Sequence, residues 1–162
     1  MGISHYQKIM VGHGVLVILV GAMSGFMLTF SLLGEIGLSP LPWVIDVQVP
    51  GAVRAWRGAH VGNMLNGVLI LALAAGMGYV SLSDSGQKFT CWGMVGVVWG
   101  NALFYVFAVF APNRGLSFTD TRYGEASIAG VLAYLPALIA AVLLIMVCVV
   151  VVRAAFGGGK RE

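Results

Sequence analysis

Four long apolar stretches run through the chain, separated by polar segments of unequal length. A helix needs ~20 apolar residues to cross a bilayer, and the stretches at about 9–33, 60–82, 90–111 and 126–152 each reach that length. The first is interrupted only by His13 and small polar residues, and the fourth contains Pro136, which marks a kink. The pattern predicts an all-α polytopic membrane protein, a four-transmembrane-helix bundle forming a single domain over 1–156, with 157–162 a disordered tail.

The connections differ in kind. The one at 83–88 is a short polar turn, so the second and third helices should form a tight antiparallel hairpin. The one at 112–125 is longer, and the one at 34–58 is the longest, with Pro40, Pro42, Pro50, Trp43 and Trp56. The two tryptophans suit a membrane–water interface. Within the longest connection, Val44-Ile-Asp-Val-Gln-Val49 alternates in part and reads as a short extended piece or an interfacial lid. An even number of helices puts both long connections at one end of the bundle.

Composition narrows the class. The chain has 162 residues, 59% hydrophobic and 9% charged, where a soluble domain carries roughly 25% charged residues. The net charge of +3 is spread along the chain, and no basic cluster points to nucleic acid. Cys91 and Cys148 lie in apolar stretches and make neither a disulfide framework nor a metal motif. The side with both termini carries Lys8, Lys88, Arg153, Lys160 and Arg161, against Arg54, Arg57, Arg114 and Arg122 on the other, a bias that orients the termini toward the cytoplasm. Gly21/Gly25, Gly58/Gly62 and Gly96/Gly100 are small-xxx-small pairs that let helix backbones approach.

Candidate chemistry gathers around Asn101-Ala-Leu-Phe-Tyr-Val-Phe-Ala-Val-Phe-Ala-Pro-Asn-Arg-Gly-Leu-Ser-Phe118. Asn101 and Tyr105 are four apart and share a helix face, Pro112 stops the helix, and Asn113-Arg-Gly115 is a polar turn. A helix–helix contact followed by a surface loop is the plain reading; intramembrane polar groups are also functional candidates. His5 precedes the first helix, His13 lies in the half of that helix nearer the termini, and His60 opens the second helix from the opposite side, so one metal bound by His13 and His60 is disfavoured. For each histidine a structural hydrogen bond competes with a ligand role. His60 has Arg54 and Arg57 just before it, with Asn63 and Asn66 following. Asn66 and Tyr105 each sit ~9 Å in from the same boundary and should face each other at one level, while His60 and Asn66 are offset by about 120° around the helix. That offset fits a site between subunits, or helix twist within one. One imidazole, boundary arginines and apolar walls match what a haem requires, whereas no converging cluster suits a non-haem metal.

Arg57-Gly-Ala-His60, Leu65-Asn-Gly67, Asn101 through Tyr105, and Phe110-Ala-Pro-Asn-Arg-Gly-Leu-Ser-Phe118 together resemble the styrene oxide isomerase family, and Gly12-His-Gly14 and Val49-Pro-Gly51 agree. The resemblance spans the first helix into the fourth. It implies a homotrimer in the bacterial inner (plasma) membrane with ferric haem b between subunits and His60 as the axial ligand of its iron. It implies Asn66 and Tyr105 at the substrate; Asn101, on the Tyr105 helix face, joins them as a catalytic candidate, and the boundary residues Arg54, Arg57 and Arg114 are available to the haem propionates. The implied reaction converts an apolar aryl epoxide, reached from the membrane lipid, to an aldehyde, and a styrene monooxygenase becomes a candidate partner. The family carries an acidic residue early in the third helix; aligned on Trp99-Gly-Asn101 it falls at Val97, a departure that bears on substrate identity or rate. A b-type haem electron carrier or sensor without isomerase activity is the alternative, and a non-catalytic scaffold a third.

Overall fold

The computed structural model describes residues 2–37 and 40–157; the tail beyond Gly157 lies outside them. Its helices are α1 (His5–Leu33), α2 (Val53–Gly76), α3 (Asp84–Ala108) and α4 (Ile128–Phe156), with a single 3-10 turn at Met77–Tyr79 continuing α2. All four spans are long and apolar enough to cross a membrane. α1 packs along α2 and α3 along α4, and the two pairs join through α2–α3 and α1–α3 contacts. The long connection folds into β1 (Glu35–Gly37) and β2 (Val44–Asp46), an antiparallel pair with Ile36 opposite Ile45. The extended reading of Val44 onward therefore holds for its first half.

Local chemistry sets the helix ends. The Ser4 hydroxyl accepts from the Gln7 amide at 3.2 Å while the Gln7 side chain accepts from the Ser4 amide at 2.8 Å, closing a capping box. The Gln7 amide group also donates to the Ala74 carbonyl at 2.7 Å, tying the start of α1 to the end of α2. Ser83 and Ser127 cap α3 and α4 in the same manner, through the Gly86 and Gly130 amides. At the other end Gly34 leaves α1 in the left-handed conformation, φ 72°.

Two boundaries differ from the expectation from apolar run length. α2 begins at Val53 rather than 60, so Arg54, Arg57 and His60 all ride on the helix. Its first two turns are amphipathic, with Trp56 and Ala59 buried and Arg54 and Arg57 exposed. A run-length criterion misses such turns because Arg54 and Arg57 interrupt the apolar run. Likewise α3 begins at Asp84, whose carboxylate suits a helix N-terminus, and ends at Ala108, short of Pro112.

Both long connections meet at one end of the bundle. Gly51, at φ 95°, packs against Val109, and the Trp56 indole donates to the Pro50 carbonyl at 2.9 Å and meets Phe110 edge-on. The main core cluster lies toward the other end, around Met10, Val17, Ile70, Met94, Val98 and Val147. α4 runs unbroken through Pro136, and Gly100 lets α3 approach it: a Cβ there would stand 2.8 Å from the Pro136 carbonyl oxygen. Gly100→Val should therefore lose about 1–3 kcal/mol, because the obstacle is backbone that cannot rotate away. A thermal transition in detergent unchanged from the parent would contradict this account.

Candidate functional site

α2 presents two different flanks, and the candidate residues divide between them. At ~100° per residue, His60 and Met64 face α1, while Gly62 and Asn66 face α3. His60 Nδ1 donates to the Gly21 carbonyl of α1 at 2.8 Å. The ring stands on Gly25, where a Cβ would approach Nδ1 to 2.8 Å. With Nδ1 engaged, Nε2 of the neutral ring keeps its lone pair. Arg57 lies one turn earlier on α2 and is exposed.

The α3 flank holds a polar ladder. The Tyr105 ring lies against Gly62, and a turn deeper the Asn101 amide nitrogen donates to Asn66 Oδ1 at 2.9 Å. The Asn66 amide in turn donates to the Gly62 carbonyl at 2.8 Å. Asn66 and Tyr105 are thus one turn apart rather than level, because each pairs with its own partner across the seam. The offset expected between His60 and Asn66 is present, and it directs them to different neighbouring helices. Among the described residues the Tyr105 hydroxyl has no hydrogen-bond partner.

Tyr105 also lines a cavity of about 510 Å³ between the start of α2 and the end of α3. Ala55, Gly58, Phe104 and Ala108 form its apolar walls, and Arg54, Arg114 and Tyr123 its polar rim. Neither arginine is ion-paired among the described residues. Arg114 holds a left-handed backbone, φ 63°, and its guanidinium lies 3.7 Å over the Tyr123 ring. The buried Asn113 side chain supports that turn: Oδ1 accepts from the Gly115 amide at 3.1 Å and Nδ2 donates to the Ser117 carbonyl at 2.9 Å. Asn66, Asn101 and His60 lie outside the cavity wall.

A family model for styrene oxide isomerase matches residues 6–156. The chain belongs to the styrene oxide isomerase family. The styrene-oxide isomerase of Pseudomonas fluorescens is 33% identical over 140 residues, which cover 85% of this chain and 81% of that relative. Membership makes this protein an isomerase.

Against this styrene oxide isomerase framework the donor set can be tested for a haem. His60 offers one nitrogen whose partner on the other side of the ring is a backbone carbonyl, the arrangement that fixes tautomer and orientation in metal-ligating histidines. His13 offers less, since its Nδ1 accepts from the Trp99 indole at 3.0 Å in a seam between α1 and α3. No group of three or more metal-ligating side chains converges among the described residues. A single imidazole held in this way fits one axial ligand of a haem. Val97 is fully buried among Met94, Val98 and their apolar neighbours. Sequence reasoning missed Tyr123, the Asn113 hub and the small residues of the cavity wall. Only the alanine and glycine spacing at Ala52, Ala55 and Gly58 could have signalled the last.

Proposed function

We propose that this isomerase converts aryl epoxides to aldehydes, styrene oxide to phenylacetaldehyde being the type reaction, with ferric haem b held by His60. The observation that carries the reading is Tyr105, which lines a largely apolar cavity and whose hydroxyl has no protein partner among the described residues. The family supports the substrate class.

The chemistry is internally balanced. The benzylic C–O bond breaks with its electron pair remaining on oxygen, and the aromatic ring stabilises the cation. A hydride moves from the oxygen-bearing carbon to the benzylic carbon, and the oxygen lone pair closes the C=O bond. No electron, proton or water is gained or lost. Haem iron, when bound, supplies a Lewis acid for the epoxide oxygen. The Tyr105 phenol donates a hydrogen bond to that oxygen as its charge develops, and Asn66, outside the cavity wall, holds the Gly62 carbonyl of the turn on which the phenol ring rests. The apolar walls offer water few hydrogen-bond partners, which matters because water would trap the cation as a diol.

The placement of His60 and Tyr105 on opposite flanks of α2 supports a site completed by two copies, as in a homotrimer with haem between subunits. In that arrangement Arg57 beside one His60, and Arg54 and Arg114 at the neighbour's cavity, pair the propionates. We place the protein in the bacterial inner membrane with cytoplasmic termini, its substrate arriving from the lipid and a styrene monooxygenase as the candidate supplier.

A visible spectrum of the purified protein, followed by styrene oxide addition and product analysis, tests the reading. A Soret band with phenylacetaldehyde as product is expected; haem without turnover would favour the electron carrier or sensor. Because the reaction consumes no electrons and the active state is assigned as ferric, dithionite should slow turnover and reoxidation restore it. A strict need for reductant would contradict the ferric assignment.

A further inference from the structure

We propose that Gly58 sets the size of epoxide this isomerase accepts. The inference rests on the reading that the cavity beside Tyr105 holds the substrate. The α2 wall of that cavity is Ala52, Ala55 and Gly58, spaced three apart so that they share one face. Phe104, Tyr105 and Ala108 face them from α3. The next small position along α2, Gly62, is already occupied by the Tyr105 ring. The phenol therefore closes the inner end, and Gly58 lies one turn outward, where an aryl group anchored at Tyr105 must extend toward the Arg54 and Arg114 rim.

Gly58 differs from the other helical glycines in being both open and part of the cavity wall; Gly12 and Gly76 are open as well but do not line it. At Gly62, Gly67 and Gly100 an added Cβ would meet a neighbouring helix, so packing accounts for the missing side chain. At Gly58 an added Cβ meets nothing within 4 Å. A glycine inside a helix costs roughly 1 kcal/mol against alanine, and no close contact offsets that cost here. What the missing side chain provides is open volume in the cavity. At about 510 Å³, that cavity falls within the roughly 300–1,000 Å³ of pockets that take drug-sized ligands. It has room for more than one ring and an epoxide.

The test is the series Gly58→Ala, Gly58→Met and Gly58→Leu in the full-length, haem-loaded protein. For each, kcat/KM is measured with styrene oxide and with a naphthyl epoxide, alongside haem content and thermal midpoint. The naphthyl epoxide should lose roughly tenfold or more in kcat/KM relative to styrene oxide, increasing with side-chain size, as expected when a pocket rejects added apolar bulk. The thermal midpoint should hold or rise. Gly58→Ala decides the matter alone if the larger variants fail to fold. An unchanged ratio of the two substrates across the series would overturn the proposal. So would loss of haem in step with side-chain size, which would make the cavity the cofactor's seat. A parent protein that isomerises neither epoxide would instead overturn the functional reading itself.

Discussion

His60→Ala protein should emerge from purification with its Soret band reduced at least tenfold, while His13→Ala keeps the parent spectrum. The two histidines differ in what their rings already do. His60 gives its Nδ1 hydrogen to the Gly21 carbonyl at 2.8 Å, leaving Nε2 as a donor to iron. His13 takes the Trp99 indole hydrogen on Nδ1 at 3.0 Å and serves the α1–α3 seam. Loss of a carboxylate or carbonyl behind a metal-bound histidine already lowers metal affinity by roughly 10–100-fold, so loss of the ligand itself should cost more. Added imidazole should restore part of the band in His60→Ala, because Gly25 and the vacated ring volume leave room for it. A full complement of haem in His60→Ala would move the ligand elsewhere.

Tyr105→Phe should lower isomerisation of styrene oxide about a hundredfold in protein that retains its haem. The substitution removes one oxygen and keeps the ring, so its seat on Gly62 and its edge contact with Phe104, at 5.2 Å between centroids, survive. A hydrogen bond to developing charge is worth ~3 kcal/mol, whereas an ordinary interhelical bond in a membrane is worth ~0.6 kcal/mol. The two readings are therefore well separated in rate. Asn66→Ala should lose most activity too, and Asn101→Ala less, because Asn101 reaches the site only by donating to Asn66 at 2.9 Å. Initial rates per haem are the measurement. Tyr105→Phe and Asn66→Ala both within a few-fold of the parent would remove the α2–α3 ladder from the reaction.

The bundle was legible because bilayer-length helices are written in long apolar runs, and all four runs form helices long and apolar enough to span a membrane. What run length could not report was the amphipathic start of α2, where Arg54 and Arg57 alternate with the buried Trp56 and Ala59. That extension changed the depth of every residue on α2. The level pairing expected of Asn66 with Tyr105 consequently became two rungs, Gly62 with Tyr105 and Asn66 with Asn101. The angular relation between His60 and Asn66 was readable, since it depends on the number of residues between them and not on where the helix begins. The cavity rim was not, because Tyr123 reaches it through a turn in which Thr121 and Gly124 bond each other and Gly124 packs on Pro112. No periodicity encodes such a loop.

A single helix with two unrelated duties has a consequence for how the protein can vary. On the proposed reading, the α2 residues that meet α1 set the imidazole's orientation and those that meet α3 set the shape of the cavity. Drift at Ala52, Ala55 or Gly58 can alter which molecules are accepted while leaving the Gly21 and Gly25 cradle of His60 untouched. On the proposed reading, side chains of the cavity wall can then vary without disturbing the contacts that orient the imidazole.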